Sequence, residues 1–416
     1  MEKFIINGGK PLLGTVKISG SKNAATPIIA ATLLTKGDFI IKNIPKIKDV
    51  EVMLEILEEM GAKVSYEDHT VKINTADVEP DKLNREKVKL LRSSILLLGP
   101  MLARFGKIKI PHPGGCNIGA RPIDTHLDAF RALGVKIKTE GGDYVLEAKK
   151  LAPARITLKE FSVTATENVL MLASSLPGKT EIRIAALEPH VQDLARFLAK
   201  MGARVEIIGA HILKIEGNKR LQEGEYAIIP DSTEAITFAI AGVVTKGKLK
   251  IENVRPEHAD LPLLKLKEFG ANIRVLENSL QVEHSPRLKA CKVEARIYPG
   301  IPTDLQAPFA VLATQAEGTS LIHDTLYEGR LKYIDELNKM GANAIICDPH
   351  RALVTGPTPL YGQEIASYDL RSGATLIIAA LLAKGKSEIS EVYQVDRGYE
   401  KIDERLRALG ADIKRI

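Results

Sequence analysis

Tryptophan is absent from this 416-residue chain, and phenylalanine and tyrosine bring the aromatic content to only 5%. Proteins that bind single-stranded nucleic acid stack bases on aromatic side chains, so this composition argues against that class. The net charge of +6 does not outweigh this argument, because the basic residues are spread along the chain among acidic ones. A modest positive charge also suits an enzyme whose substrates carry phosphate groups.

Cysteine is scarce as well. The three thiols, Cys116, Cys291 and Cys347, are odd in number and far apart, and the chain has no CxxC motif. This spacing argues against a disulfide framework and against a structural zinc site. The nine histidines show no HExxH or other ligand spacing, so we expect neither a metal nor another cofactor. Cys291 and Cys347 lie in strand-like runs, where we expect buried, inert thiols.

Long apolar runs are missing too. None approaches the ~18 residues that a transmembrane helix needs. Residues 1–7 lack the hydrophobic core of a signal peptide. With 45% hydrophobic and 26% charged residues, the composition is that of a globular protein. We therefore expect a cytoplasmic protein without a membrane contact or an obligate protein partner.

The chain does contain a sixfold repeat with a period of roughly 70 residues. Each unit opens at a glycine before a strand-like run and closes at another glycine after an amphipathic run. The opening glycines are Gly37, Gly106, Gly178, Gly247, Gly318 and Gly385. The closing glycines are Gly61, Gly134, Gly202, Gly270, Gly341 and Gly410. A period held over the whole chain predicts six copies of one βαβαββ unit.

The first unit illustrates the pattern. Residues 24–34 are small or apolar without any charge, which is typical of a fully buried helix. Residues 38–42 indicate a strand, and we expect Asp49 to cap an amphipathic helix over residues 50–60. Gly61 then supplies the left-handed residue at the end of that helix. Six such units exceed one core, because cores stop growing near ~250–300 residues. An α/β protein of two similar three-unit domains follows.

Chemistry-bearing residues recur just before each predicted buried helix. Backbone N–H groups are unpaired there and the helix dipole is positive, so anions bind at such ends. If three such helices run parallel within a domain, their first turns converge at one end. The junction residues are Lys22-Asn23, Arg92-Ser93, Ser162-Val163-Thr164, Asp231-Ser232-Thr233, Thr303-Asp304 and Asp369-Leu370-Arg371.

Two interpretations of these junctions stay open. Serine, threonine and aspartate are preferred N-caps, so a residue such as Ser162 needs no further function. The cations differ, because Lys22, Arg92 and Arg371 oppose the helix dipole unless an anion lies between. Asp304 suits either role, since a carboxylate caps a helix well and also serves as a base beside cations.

A glycine-rich loop over residues 112–122 carries one thiol, Cys116, and one guanidinium, Arg121. Three glycines and two prolines exclude a continued helix or strand there. The loop is either a surface turn with an incidental cysteine or a lid that brings a proton donor to a bound anion. Two further cations, Arg330 and Arg397, stand in the corresponding loops of the fifth and sixth units.

Together these residues resemble the enolpyruvyl transferases. The resemblance begins at Ile18-Ser19-Gly20-Ser21-Lys22-Asn23-Ala24-Ala25, ends at Asp396-Arg397-Gly398-Tyr399-Glu400, and so covers essentially the whole chain. The loop from Gly114 to Pro122 is similar to that of members whose acceptor is UDP-N-acetylglucosamine. The family fold implies two inside-out α/β domains, with helices inside and sheets outside. They are residues 22–229 in one domain, and residues 1–21 with 230–416 in the other, joined by a double crossing.

The resemblance also implies an addition–elimination reaction. The sugar 3'-hydroxyl attacks C2 of phosphoenolpyruvate, C3 is protonated, and phosphate then leaves. Cys116 is the implied proton donor, and Asp304 takes the proton of the sugar hydroxyl. Lys22, Arg121 and Arg397 hold the phosphate. Such enzymes begin peptidoglycan precursor synthesis, and their loop cysteine is the target of the epoxide phosphonate fosfomycin.

The other implied contacts surround the substrate carboxylate and the nucleotide sugar. Arg92, Arg330 and Arg371 add charge around the carboxylate. Asn23 and Arg121-Pro122-Ile123-Asp124-Thr125 contact either substrate, and Ser162, Val163 and Leu326 line the nucleotide-sugar side. At position 160 many family members carry a basic residue that contacts the diphosphate, whereas this chain has Glu160. We expect Lys159 to make that contact instead. An enolpyruvyl transferase with another hydroxyl acceptor and a non-catalytic repeat protein that binds nucleic acid remain as alternatives.

Overall fold

The computed structural model describes residues 2–114, 119 and 121–416. Their strands form six small sheets, and each sheet is centred on one sequence repeat. The six glycines that close the repeats all have positive φ values, between +86° and +107°. Glycine adopts this left-handed backbone without a steric penalty, so it ends a helix where other residues are strained. The prediction of six repeated α/β units is therefore confirmed.

The helices are named in chain order. They are α1 (Lys22–Ala31), α2 (Lys48–Glu59), α3 (Arg85–Leu90), α4 (Leu98–Phe105), α5 (Asp124–Ala132), α6 (Val163–Ser174), α7 (Pro189–Lys200), α8 (Ser232–Val244), α9 (Asp260–Glu268), α10 (Thr303–Ala313), α11 (Tyr333–Lys339), α12 (Leu370–Leu382), α13 (Tyr393–Asp396) and α14 (Ile402–Ala408). Short 3-10 segments occur at Thr32–Leu34, Pro80–Lys82, Arg92–Leu97 and Pro256–His258.

The strands are also named in chain order. They are β1 (Phe4–Asn7), β2 (Leu13–Lys17), β3 (Asp38–Lys42), β4 (Lys63–Glu67), β5 (Thr70–Asn74), β6 (Lys107–Ile110), β7 (Lys136–Glu140), β8 (Asp143–Glu147), β9 (Arg155–Thr157), β10 (Gly178–Arg183), β11 (Arg204–Ile207), β12 (Ile212–Gly217), β13 (Gly224–Ala227), β14 (Lys248–Glu252), β15 (Ile273–Val275), β16 (Ser279–Val282), β17 (Val293–Ala295), β18 (Gly318–Asp324), β19 (Asn343–Asp348), β20 (Arg351–Gly356), β21 (Glu364–Ala366), β22 (Lys386–Ser390) and β23 (Asp412–Arg415).

Contacts divide the described chain into two compact units. Unit 1 comprises residues 2–19, 119 and 230–416, and unit 2 comprises residues 20–114 and 121–229. In unit 1, β1 lies between β22 and β23, and β2 pairs in parallel with β14. In unit 2, β13 pairs in parallel with β3. The leading segment of the chain is thus built into the sheets of unit 1.

The inner helices are apolar on nearly all sides. In α10 every residue from Leu305 to Ala313 is buried, and in α12 every residue from Leu370 to Leu381 is buried. A helix without a polar face is stable only when other elements cover it all round. Accordingly α8, α10 and α12 pack on one another in unit 1. In unit 2, α6 packs on α4 and on the 3-10 segment Arg92–Leu97. The same 3-10 segment also contacts α1.

Four of the six sheets share one strand order. In the sheet β21-β22-β1-β23 the start of the chain supplies one strand, and the described part of the second repeat's sheet has fewer strands. In the order β11-β12-β10-β9, a leading strand pairs in parallel with the strand that follows the inner helix, and a hairpin completes the sheet. The second repeat forms a sheet of three strands within the described chain, β6-β8-β7. Its leading segment is the helix α3 instead, because the Asn84 side chain accepts hydrogen bonds from Glu86 N and Lys87 N and caps a helix there. The βαβαββ prediction is wrong for this repeat.

Local expectations for Asp49 and the two cysteines also need correction. Helix α2 begins at Lys48, so Asp49 lies inside its first turn and does not cap it. Cys347 is exposed, because a bulge between Ile346 and Asp348 interrupts the alternation of β19. Cys291 is half-buried and lies outside β17, and burial raises the pKa of its thiol to about 11. Cys291 therefore stays protonated at neutral pH, as an inert thiol should.

The Asn168 side chain joins the inner helices of unit 2 and yields a stability prediction. Its Oδ1 accepts a hydrogen bond from Gly99 N at 2.8 Å, and its Nδ2 donates to Ile95 O at 3.1 Å. Asn168→Leu leaves both buried backbone groups without these partners. We expect the free energy of unfolding to fall by about 2–4 kcal/mol, measured by urea unfolding.

Asn218→Leu is the matched control. The Asn218 side chain also makes two backbone hydrogen bonds, to Gly202 O and from Arg220 N, but in an exposed position. Water replaces those bonds, so the expected loss is below about 1 kcal/mol. Equal losses in the two variants would contradict a special role of Asn168 in the core.

Candidate active site

In unit 2 the start of α1 carries a desolvated ion pair. Lys22 is the first residue of α1, and its Nζ lies 3.1 Å from Asp49 Oδ2. The two side chains are only 21% and 8% exposed. A cation at a helix start opposes the dipole, and Asp49 is the anion that offsets it here. The half-buried Asn23 follows Lys22 in the same turn.

Arg92 is held by backbone carbonyl groups. It begins the 3-10 segment before α4, and its Nη2 donates to Arg121 O at 2.5 Å. Its Nη1 donates to Pro113 O at 3.4 Å. Pro113 and Arg121 lie near the two ends of the glycine-rich loop. The Arg92 guanidinium therefore joins these two ends. Cys116 lies outside the described residues, and its role stays a prediction.

The segment after Arg121 alternates between exposed and buried side chains as it enters α5. Pro122 and Asp124 are exposed, whereas Ile123 and Thr125 are buried. Asp124 is the first residue of α5. Two of the predicted contact residues therefore present their side chains to solvent, while the other two contribute to packing.

Glu160 and Lys159 both have partners within unit 2. Glu160 Oε1 accepts a hydrogen bond from Thr125 Oγ1 at 3.0 Å. Lys159 Nζ lies 2.6 Å from Asp128 Oδ2. Glu160 thereby fixes the start of α5, and Lys159 is paired with a carboxylate of α5.

The first turn of α6 contacts a histidine of α5 that sequence reasoning missed. Ser162 caps α6, with its Oγ accepting from Ala165 N at 3.4 Å, and Val163 is the first helical residue. The buried His126 Nε2 lies 2.8 Å from Thr164 Oγ1. Burial, assisted by the charge of Arg92, lowers the pKa of His126 to about 3, so the ring is neutral at pH 7. No spacing in the sequence distinguishes it from the other histidines.

In unit 1, Asp304 joins two buried guanidinium groups. It is the second residue of α10, and its Oδ1 lies 2.7 Å from Arg330 Nη2. Its Oδ2 lies 3.1 Å from Arg371 Nε. The arginine side chains are 10% and 3% exposed. These three predicted residues form one ion-pair network, the Asp304 cluster, in which each charge depends on its neighbours because water is largely excluded.

Two further carboxylates border the Asp304 cluster. Asp231 caps α8 and lies 3.4 Å from Arg371 Nη2, and Asp369 caps α12 and lies 3.7 Å from Arg330 Nη1. Burial alone would lower the pKa of each arginine. The neighbouring carboxylates, Asp304 first, raise the pKa of Arg330, whereas Tyr399, followed by Asp231 and Asp304, raises the pKa of Arg371. Both aspartates stand in the sequence junctions, where their preference for capping hid this second role.

The cluster retains hydrogen-bond donors that nothing in the described chain accepts. They are Arg330 Nε and Arg371 Nη1, and both are buried. The Tyr399 ring packs against Arg371, with 5.0 Å from the guanidinium carbon to the ring centroid, and so fixes its plane. A buried donor without an acceptor costs free energy, which an entering anionic ligand would recover.

Arg397 and Leu326 are the other predicted residues of unit 1. Arg397 follows α13, is 7% exposed, and donates from Nη1 to Gln394 Oε1 at 3.1 Å. Leu326 is 38% exposed. Its backbone N–H donates to Asp324 Oδ1 at 2.9 Å, which orders the loop that also carries Arg330.

Neither a metal cluster nor a membrane span emerges from residues 2–114, 119 and 121–416. No group of three or more His, Cys, Asp or Glu residues is arranged there to hold a metal ion. No helix in this part of the chain has the length and apolarity that crossing a bilayer requires. The arrangement provides instead buried cations for anionic groups and a carboxylate that can accept a proton.

Comparisons with known proteins identify similar chains over the full length. The family model described as EPSP synthase (3-phosphoshikimate 1-carboxyvinyltransferase) matches residues 6–406. A curated protein named UDP-N-acetylglucosamine 1-carboxyvinyltransferase from Halothermothrix orenii is 45% identical, covering 100% of both chains. One of the same name from Koribacter versatilis is 44% identical, covering 100% of this chain and 97% of its own.

Solved structures have a similar fold. The enolpyruvyl transferase NikO from Streptomyces tendae matches with a TM-score of 0.91 at 26% identity, covering 100% of this chain and 98% of its own. EPSP synthase from Acinetobacter baumannii matches with a TM-score of 0.74 at 19% identity, covering 100% of both chains, which is a likeness of fold.

A buried acid on α6, Glu167, allows a pH prediction. Burial, and then the charge of Glu188, raises the pKa of Glu167 well above its usual 4.5. The folded protein therefore keeps a proton that the unfolded chain releases above pH 4.5. Because the folded state binds more protons in this window, the free energy of unfolding falls as the pH rises through it.

Glu167→Gln removes this proton linkage. Relative to the parent protein, we expect the free energy of unfolding of the variant to rise with pH, by up to about 1.4 kcal/mol per pH unit above pH 5. Urea unfolding at several pH values measures the slope. Glu216→Gln, on an exposed position of β12, is the control. A constant difference between Glu167→Gln and the parent at all pH values would refute the assignment.

Proposed function

This chain belongs to the EPSP synthase family of enolpyruvyl transferases, and from that premise we propose that it transfers the enolpyruvyl group of phosphoenolpyruvate to UDP-N-acetylglucosamine. The group joins the sugar 3'-hydroxyl, and phosphate is released. The acceptor follows from the relatives of 42–45% identity that carry this activity in their names. The enzyme is thus a transferase at the first committed step of peptidoglycan precursor synthesis.

The observation that carries the proposal is the Asp304 cluster with its unsatisfied donors. Phosphoenolpyruvate carries a phosphate and a carboxylate, so its desolvation is costly unless cations replace water. Arg330 and Arg371 are buried, charged and each short of one acceptor. These features suit the carboxylate and the tetrahedral centre that forms beside it. The phosphate is assigned to Lys22, Arg121 and Arg397.

The proposed reaction uses two proton-transfer groups. In the addition step the sugar oxygen bonds to C2, its proton passes to Asp304, and Cys116 donates a proton to C3. In the elimination step C3 returns a proton to the Cys116 thiolate and the bond from C2 to the phosphate oxygen breaks, which restores the double bond. The proton on Asp304 leaves with the released phosphate. Asp304 suits its role because two guanidinium groups fix both of its oxygens.

Substrate positioning is assigned to the helix starts of unit 2 and to one loop of unit 1. Arg92 holds the ends of the Cys116 loop and adds positive charge near them. Ser162, Val163 and Leu326 are proposed to line the nucleotide-sugar side. Contacts to either phosphoenolpyruvate or the nucleotide sugar are proposed for Asn23, Pro122, Ile123, Asp124 and Thr125. Because both substrates are phosphorylated metabolites, we also place the enzyme in the cytoplasm, where its product supports cell-wall synthesis, cell shape and division.

The acceptor is tested by phosphate release. The purified enzyme should release phosphate from phosphoenolpyruvate only when UDP-N-acetylglucosamine is present, in a continuous colorimetric assay. Shikimate 3-phosphate at the same concentration is the matched alternative acceptor and should give background release. Equal release with shikimate 3-phosphate would reassign the acceptor, and no release with either acceptor would refute enolpyruvyl transfer.

The proposed thiol is tested with fosfomycin. The phosphonate resembles phosphate and should be drawn to Lys22, Arg121 and Arg397, which brings its epoxide to Cys116. Peptide mapping should find one adduct, on Cys116, and none on Cys347, although the Cys347 thiol is exposed. Exposure alone would favour Cys347, so this residue is an internal control.

Two substitutions separate the acid from the nucleophile. Cys116→Asp keeps a proton donor without a soft nucleophile, so turnover should survive while alkylation disappears. Cys116→Ala removes both functions and should lose turnover. An adduct on another cysteine, or undiminished turnover of Cys116→Ala, would overturn the assignment.

A further inference from the structure

The residue before Arg397, Asp396, is bound firmly by another part of unit 1. Asp396 is the last residue of α13, and Arg397 follows it directly. Arg415 on β23 binds the Asp396 carboxylate with both terminal nitrogens, at 2.8 Å from Nη1 to Oδ2 and 2.7 Å from Nη2 to Oδ1. Two parallel hydrogen bonds of this kind fix orientation as well as distance.

Arg415 is itself held rigidly. Its Nη1 also donates to Glu2 Oε2 at 2.9 Å, and its Nη2 to Asp403 Oδ1 at 3.3 Å. Its guanidinium carbon lies 4.8 Å from the centroid of the buried Phe4 ring. The side chain is 26% exposed, so most of it is packed. Three carboxylates and a ring thus leave the guanidinium little freedom.

The opposite side of the segment rests on α12. A Cβ added to Gly373 would lie 2.6 Å from Val395 Cγ2, so α13 packs directly on a helix residue without a side chain. A Cβ added to Gly398 would lie 2.3 Å from Leu370 Cδ1. Contacts before and after Arg397 therefore press the segment onto α12. Asp396 itself forms an ion pair with Arg415 at 2.7 Å.

We propose that Arg415 is a positioning residue for enolpyruvyl transfer, which acts by holding Asp396 so that Arg397 keeps its orientation toward the substrate phosphate. The inference rests on the proposed function. The physical reason is that Asp396 and Arg397 are adjacent in the chain. Because Arg415 fixes the position of Asp396, it also fixes the backbone from which the Arg397 side chain extends. Without the Arg415–Asp396 pair, the Arg397 guanidinium is no longer held in the orientation that suits the phosphate. This weakens the contact to the phosphate more than any contact to the sugar.

The test uses steady-state kinetics of the full-length enzyme with each substrate varied in turn. Arg415→Met and Asp396→Asn should each raise the KM for phosphoenolpyruvate about tenfold or more, since small displacements of a binding group are costly. The KM for UDP-N-acetylglucosamine should stay within about twofold. The double variant should be no worse than either single variant, because both remove the same interaction.

Three further variants separate positioning from stability. Glu2→Gln removes another partner of Arg415 without touching Asp396, and Arg287→Met removes an exposed ion pair with Glu317 elsewhere in unit 1. Neither should change the KM for phosphoenolpyruvate. Arg415→Lys keeps the charge but loses the two-pronged geometry, so its KM should fall between those of the parent and Arg415→Met.

The outcomes distinguish this inference from the proposed function. A parent enzyme that does not turn over with UDP-N-acetylglucosamine refutes the proposed function and this inference with it. An active parent whose Arg415→Met variant unfolds more easily but keeps the parental KM for phosphoenolpyruvate refutes the inference alone. Equal rises in both KM values do the same. If Arg415→Met fails to fold, Asp396→Asn and Arg415→Lys decide by the same criteria.

Discussion

The carboxylate of Asp304, shared by two buried guanidinium groups, is the interaction on which the arrangement of buried charges in unit 1 depends. Its position follows from packing, because α8, α10 and α12 are apolar all round and must pack on one another. Their first turns deliver Asp231, Asp304 and Asp369 to one place. Removing any one of these charges would leave buried partners uncompensated, which is far more costly than losing an exposed ion pair.

Unit 2 meets the same constraint by other means. Lys22 is paired with a single carboxylate from α2, and Arg92 is bound by backbone carbonyl groups at the two ends of the glycine-rich loop. One unit holds a carboxylate among its cations, whereas the other holds cations next to the ends of the glycine-rich loop.

The repeat, the inner helices and their junctions were predictable, because they depend on local rules. Glycine is needed where φ is positive, and an uncharged run must be buried. The partners of the cations were not predictable, because Lys22 and Asp49 are 27 positions apart and Arg371 and Asp231 are 140 apart. Aspartate at a helix start also has an ordinary capping function that conceals a second role. Two single local features also changed what the repeat pattern predicted. Asn84 caps a helix where a strand was expected, and the bulge of β19 exposes Cys347.

The central claim, that Asp304 accepts the proton of the sugar hydroxyl, is tested most directly by the kcat of Asp304→Asn at saturating substrates. The amide keeps the size and one hydrogen-bond acceptor but accepts no proton. We expect kcat, normalised to the folded fraction measured by circular dichroism, to fall by about 10²- to 10⁴-fold. Asp348→Asn, which weakens a more exposed carboxylate–guanidinium pair with Arg351, is the control and should keep its kcat. An undiminished kcat in folded Asp304→Asn would contradict the account.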